Sequence, residues 1–305
     1  MKKSFKRTFY DVLAFLVIIS FCLGATWSNA QEDEEIEAEN ENLVTLTYVE
    51  WVSEIASTYV VKAVLEELGY EVEIMAVTAA LMWQAVASGE ADAHVAAWLP
   101  TTHEHYERAV KERIDNLGPN LMGTKIGLVV PQFITINSIE ELNANATQFG
   151  GQIIGIDPGA GLMNKTKQVF EEYNLSNFKL IDGSGATMTA ALGEAINNKQ
   201  WIVVTGWTPH WIFSRWNLKY LDDPKNLYHS KNQASQKEYI ATIVRQGLKT
   251  DKPKVYRFLD RFYWEASDME QVMIWNKETE NADPSKNAKR WIAENRDKVN
   301  QWIAP

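Results

Sequence analysis

The sequence predicts an α/β protein of two lobes, with the chain passing twice between them. Three observations carry that expectation. Strand-like and helix-like apolar patterns alternate as β-α-β-α-β over about 60 residues from Leu43, the mark of a parallel sheet. The alternation restarts after a junction near residues 125–135. An apolar run at 239–248 (YIATIVRQGL) then returns the chain to the first unit. Two lobes joined by two crossings make a hinge that can shut on a ligand.

The elements follow in order. LVTLTYVEW (43–51) reads as a strand, and SEIASTYVVKAVLEELGY (53–70) as an amphipathic helix. Its apolar positions Ile55, Val60, Val61, Val64, Leu65 and Leu68 fit one helical stripe, and Gly69 suits the C-terminal cap. EVEIMAV (71–77) is a second strand, ALMWQAVASGE (80–90) a second helix and ADAHVAAWL (91–99) a third strand. TKIGLVVPQF (124–133) is the next strand, and SIEELNANA (138–146) a short helix with Ser138 as N-cap and Glu141 three residues on. In the second unit, GQIIGIDPG (151–159) is a strand and turn, NKTKQVFEEYN (164–174) a helix, and FKLIDGSG (178–185) a strand. ATMTAALGEAINN (186–198) is a helix and WIVVTGW (201–207) a strand. The tail from Lys252 is mostly helical and rich in tryptophan. The lobes are therefore expected at 43–127 with 240–305, and at 128–239.

The N-terminus carries a basic start (MKKSFKR), an uncharged apolar run at 12–25, and small residues at 28–30. That order is expected to be a secretory signal over 1–30, cleaved after Ala30, with a run too short for a comfortable membrane span. Cys22, the only cysteine, lies inside the apolar run after Phe21, which disfavours a lipoprotein. Residues 31–42 (QEDEEIEAENEN) have acid excess without periodicity and read as a disordered, solvated tether. The net charge is −10; removing 1–30 takes four bases (Lys2, Lys3, Lys6, Arg7) and one acid (Asp11) and leaves −13. Nucleic acid is not an expected partner for such a chain. With no further cysteine, an exported chain must rest on its core alone, and it is long enough for two ordinary domains.

Trp51, Trp98 and Trp207 each end or follow an apolar strand-like run, where an open α/β sheet holds its ligand. An indole face attracts a cation through its quadrupole, so three converging faces would suit a quaternary ammonium ion. Core filling is the competing account, and it is the expected fate of most of the twelve tryptophans. IDPGAGLMNKT (156–166) places a turn before a helix, whose free N–H groups near Gly161 and Leu162 could bind a carboxylate. An ordinary glycine-rich turn would read the same way. His103 and His105 form an H-x-H pair near His94, but no spacing completes a tetrahedral metal site. His103 reads better as a donor at the cleft rim. Neither a nucleophile elbow nor a carboxylate pair for hydrolysis stands out, so no enzyme, cofactor or metal is expected.

Taken together, YVEW-x-SEIAST, AAWLP-x-TH, KIGLVVPQ, IGIDPGAG, TGW-x-PHW and LKYLDDPK resemble the substrate-binding proteins of glycine betaine/proline betaine ABC importers. The likeness spans about residues 44–303. It implies a type II periplasmic binding protein-like fold, each lobe a sheet flanked by helices, with the ligand cleft between the lobes. It also implies a tryptophan cage of Trp51, Trp98 and Trp207 around a trimethylammonium group. The amides of Gly161 and Leu162 would then bind the carboxylate, assisted by His103. An ABC permease is the implied partner, the periplasm or cell exterior the implied location, and a monomer the expected state. Dimethylsulfoniopropionate, carnitine and choline are the alternative ligands; retention of the DPG-x-G turn argues against choline. Where the family often has aspartate after the first tryptophan, this chain has Val52, which removes a charge from the cleft rim.

Overall fold

In the computed structural model, residues 42–228, 237–278 and 281–305 are described. The expected signal (1–30) and all of the expected tether but its last residue lie outside them. Residues 44–305 cluster as one compact unit. Within it stand two five-stranded sheets of identical strand grammar. The first runs β2-β1-β3-β10-β4 and is built from β1 (Leu43–Tyr48), β2 (Glu71–Ala76), β3 (Ala93–Leu99), β4 (Ile114–Met122) and β10 (Tyr239–Arg245). The second runs β7-β6-β8-β5-β9 and is built from β5 (Lys125–Pro131), β6 (Gln152–Ile154), β7 (Lys179–Ile181), β8 (Val204–Thr208) and β9 (Leu218–Tyr220).

In both sheets the strand that has just crossed from the other lobe inserts antiparallel, fourth in the order. β10 pairs antiparallel with β3 and β4, and β5 with β8 and β9. Each crossing therefore delivers its strand into the interior of the receiving sheet. The expected cut at 127/128 falls inside β5, which lies wholly in the second sheet, and Tyr239, expected in the second lobe, opens β10 of the first.

Helix α1 (Val52–Glu67) follows β1, α2 (Ala79–Ser88) follows β2, and α3 (Glu104–Val110) follows β3. Gly69 takes φ of 94° just past α1, the left-handed geometry that glycine allows without strain. α1 buries more than its apolar stripe: Ser53, Glu54, Ser57 and Thr58 are buried too, while Ile55 and Leu68 are only partly so. The second lobe carries α4 (Gly161–Glu172), α5 (Gly185–Asn197) and the short α6 (Ile212–Arg215). SIEELNANA forms two 3-10 turns instead of the expected short helix, although the Ser138–Glu141 capping box is present. Asn143 and Asn145 bond through their side chains to backbone carbonyls, which competes with helix continuation.

The C-terminal helices return to the first lobe as α7 (Leu248–Asp251), α8 (Pro253–Arg261), α9 (Ala266–Trp275), α10 (Pro284–Glu294) and α11 (Arg296–Ile303). α9 and α10 pack on α1, and α8 on β4 and β10. Trp264, Trp291 and Trp302 are buried there, with Trp291 stacked on Trp302 at 5.8 Å between ring centres. The tryptophan-rich tail is thus core, as aromatic side chains of that area usually are.

Candidate ligand-binding site

β1 lies parallel to β3 in the first sheet, and β6 parallel to β8 in the second. The segments at or beyond the C-terminal ends of these four strands line a single cavity of about 310 Å³. Trp51, Trp98, Trp207, His103, Gly161 and Leu162 all line it, so the six residues expected to hold a ligand meet in one place.

Trp51 is the N-cap residue of α1, beyond the end of β1. Its turn is tied down by Trp51 N–H donating to the Val49 carbonyl at 2.7 Å and by Val49 N–H donating to Glu54 Oε2 at 3.0 Å. Burial pushes the Glu54 carboxyl well above the usual carboxylate range, opposed only by that one N–H. The Trp51 indole Nε1–H donates to Asp157 Oδ2 at 2.9 Å, a bond from one lobe to the other. Trp98 and Trp207 occupy the penultimate positions of β3 and β8, each followed by a cis X–Pro bond, Leu99–Pro100 and Thr208–Pro209. The Trp207 ring lies near Gly185 at the start of α5 and meets His210 edge-on at 4.4 Å.

His103 closes the loop that leaves β3. Its N–H donates to the Trp98 carbonyl at 2.8 Å, and its Nδ1 accepts the Trp98 N–H at 3.2 Å. An accepting Nδ1 puts the proton of the neutral ring on Nε2. Burial, with smaller contributions from His94 and His105, lowers the His103 pKa to about 3. The ring is therefore a neutral donor at physiological pH. Across the cavity, Ala160 caps α4, and Gly161 and Leu162 are its first two residues. Among the described residues no protein acceptor takes their N–H groups. Two unpaired amides and a helix N-terminus present partial positive charge where an anionic oxygen could sit.

The two lobes touch around this cavity. Tyr106 Oη donates to the Gly159 carbonyl at 2.6 Å, and Asn164 Nδ2 lies 3.4 Å from His105 Nε2. Gly161 packs so closely on the loop after β3 that a Cβ there would stand 2.1 Å from the Thr102 carbonyl oxygen. His105 thus faces the other lobe, while His94 is buried against Trp83 at 4.9 Å. Among the described residues no group of three or more His, Cys, Asp or Glu is placed to hold a metal.

Sequence reasoning missed Asp157, Tyr106 and Thr102. Asp157 was legible in DPG-x-G, but that motif was read for its amides alone. Val52 follows Trp51 where the family often has aspartate, and Asp157 of the opposite lobe is the carboxylate that accepts from the Trp51 indole.

The family model for the substrate-binding domain of ABC-type glycine betaine transport systems matches residues 42–294. The glycine betaine/carnitine transport binding protein GbuC of Listeria monocytogenes is 47% identical over 157 residues, 51% of this chain and 50% of that protein. The match thus spans about half the length of that curated relative. Lactococcal OpuAC, in a closed-liganded conformation with glycine betaine, superposes with a TM-score of 0.79 at 43% identity, covering 86% of this chain and 99% of that one. ProX from Borrelia burgdorferi gives a TM-score of 0.81 at 37% identity, covering 86% and 96%. A choline-binding protein with choline bound shares the fold, with a TM-score of 0.80 at 23% identity, covering 87% and 93%. The chain belongs to the family of substrate-binding domains of ABC-type glycine betaine transport systems, and its fold is the two-lobed periplasmic binding protein fold.

Proposed function

Proceeding from that membership, we propose that the chain is an extracytoplasmic receptor that captures glycine betaine, or proline betaine, and presents it to an ABC permease. One observation carries the reading: three buried indoles, Trp51 and Trp98 from the first lobe and Trp207 from the second, line the same cavity as two unpaired amides of the second lobe. The trimethylammonium group has no N–H to donate, so aromatic faces rather than hydrogen-bond acceptors hold it. Its carboxylate takes the Gly161 and Leu162 amides and the Nε2–H of His103. Cation–π contacts of roughly 1–2 kcal/mol each, desolvated, supply about half of the ~8 kcal/mol that micromolar binding requires. Charge-assisted bonds to the carboxylate supply the rest. The Asp157 bond to Trp51 adds electron density to that indole and strengthens its hold on the cation. Among the described residues no helix is long and apolar enough to cross a membrane, and we read the chain as exported and working outside the cytoplasm, as a monomer.

One observation favours a second ligand. Ser53 lines the cavity, and its buried Oγ has no protein partner. A betaine with a hydroxyl of its own, such as carnitine, could use it. Calorimetry with glycine betaine, proline betaine, dimethylsulfoniopropionate, carnitine and choline tests both readings. Glycine betaine should bind at micromolar Kd or better and choline at least tenfold more weakly, because a hydroxyl cannot engage paired amides. Equal affinities for the two would remove the carboxylate role of Gly161 and Leu162.

A further inference from the structure

Glu238 lies one residue before β10, where the chain re-enters the first lobe. Its backbone carbonyl accepts the N–H of Thr124 at 3.2 Å, and Thr124 stands between β4 and β5, in the other crossing. The two crossings are thus bonded to one another at Glu238. A carboxylate at a hinge is ordinarily solvated, yet this residue is only 5% exposed. Its oxygens are used by a single dipeptide. Oε2 accepts the Thr101 N–H at 3.2 Å and the Thr101 hydroxyl, and Oε1 accepts the Thr102 N–H at 2.9 Å and the Thr102 hydroxyl. Among the described residues it forms no ion pair. Four donors on one carboxylate offset the cost of burying its charge.

Thr101 and Thr102 sit between Trp98 and His103, whose backbones and imidazole close the loop on itself. The Thr102 carbonyl is the surface on which Gly161 of the other lobe rests. Thr102 and His103 both line the cavity. One carboxylate therefore joins the hinge to the cage loop and to the edge against which the lobes meet.

We propose that Glu238 is a positioning residue for the ligand site. It fixes residues 99–103 to the hinge, so that Trp98, His103 and the Thr102 carbonyl form one rigid edge against which the second lobe closes. This rests on the reading of the cavity as the ligand site. The role requires an acceptor at both oxygens. A Glu238→Gln side chain turns an NH2 group toward one of the two threonines; that hydroxyl can rotate to accept, but its backbone N–H cannot.

The test is Glu238→Gln in the full chain with 5-fluorotryptophan labelling, read by 19F NMR, melting temperature and calorimetry with glycine betaine. The Trp98 resonance, assigned with Trp98→Phe, should shift or broaden before any ligand is added, and Kd should rise at least tenfold while the protein still melts cooperatively. An unchanged Trp98 resonance with Kd within twofold of wild type overturns the proposal, even if the melting temperature falls, because that is the result of a purely structural role. If Glu238→Gln does not fold, Thr102→Val removes one arm and keeps the N–H. It should move the same resonance and raise Kd about threefold or more, and no movement in either again overturns the proposal. A wild-type protein that fails to bind betaine sinks the proposed function instead, and the Trp98 resonance in the ligand-free variants then still decides the role of Glu238.

Discussion

Adding one methyl group at Gly161 should abolish tight binding while leaving the fold intact. The Cβ of Gly161→Ala would stand 2.1 Å from the Thr102 carbonyl oxygen, 2.8 Å from its carbonyl carbon and 2.8 Å from its Cγ2. Backbone atoms cannot rotate away, and this backbone is held by Glu238. The lobes must separate by about 1 Å to restore ordinary contact distances. A shift of that size takes the Trp51–Asp157 bond from 2.9 Å to beyond hydrogen-bonding range. The Tyr106–Gly159 bond, at 2.6 Å, lengthens past its optimum in the same way. Each weakened bond costs about 1 kcal/mol, and mispositioned amides against a ligand carboxylate add a similar loss. Together these reduce affinity for glycine betaine by about 10²-fold. Calorimetry measures the change, and a melting curve without ligand should stay near wild type, because Gly161 lies at the lobe boundary and not in either core. A Kd within threefold of wild type would refute the claim that binding requires this approach of the lobes.

Three further outcomes follow from the same geometry. Trp207→Ala should weaken betaine binding at least tenfold through loss of about 1–2 kcal/mol of contact. Trp291→Ala, stacked on Trp302 in the core of the first lobe, should lower the melting temperature and leave the Kd of the folded protein unchanged; equal effects on Kd would show that the cage residues are misassigned. Acidification should destabilise the ligand-free protein: burial lowers the pKa of His94, His103 and His210 to about 3, so between pH 6.5 and 3 the unfolded chain binds protons that the folded one refuses. Each such histidine removes about 1.4 kcal/mol per pH unit, while Glu54, raised by burial, works in the opposite sense above pH 4.5. A melting temperature that holds steady or rises from pH 7 to 5 contradicts this, whereas betaine Kd should stay flat over that range because His103 remains neutral. Small-angle scattering should give a smaller radius of gyration with saturating betaine than without; an unchanged radius would leave the cavity as a site within one rigid body.

Much of the fold was legible because its buried elements carry strong periodicity. The seven residues of β3 are all buried, and AHVAAWL is apolar except for His94. β4 was not legible: IDNLGPNLM alternates poorly, contains Gly118 and Pro119, and is half exposed. It is a strand because it sits at the edge of the first sheet beside β10, with two shifts of register, and an edge tolerates proline. β9 was also missed, since three half-buried residues carry no period. At the candidate site, three tryptophans, a histidine and a glycine turn were picked out from position and type, and they line one cavity. Residues that act by touching the other lobe were missed. The partners of Asp157, Tyr106 and Thr102 in the other lobe are remote in sequence: the Trp51–Asp157 bond joins positions 106 residues apart and the Tyr106–Gly159 bond positions 53 apart.

The repeated sheet order explains why the site has two chemically opposite halves. In the first sheet β1 and β3 are neighbours with β2 outside them, and in the second β6 and β8 are neighbours with β7 outside them; β1 leads to β2 on one side and β3 to β4 on the other, as β6 leads to β7 and β8 to β9. That switch point opens a crevice at the strand ends, and two lobes facing each other bring two crevices together. The first lobe fills its crevice with Trp51 after β1 and Trp98 at the end of β3. The second uses Trp207 at the end of β8 but follows β6 with IDPGAG, whose glycines leave amides uncovered. One architecture repeated twice thus places aromatic faces at three strand ends and unpaired amides at the fourth, with His103 as a further donor on the loop after β3. A zwitterion that uses all three indoles and the amides touches both lobes, whereas a cation without a carboxylate can be held by indoles and leave the α4 terminus unpaired. On the proposed reading, selection for the zwitterion is coupled to closure: the carboxylate that distinguishes betaine from choline would meet Gly161, a residue at which the two lobes come into contact.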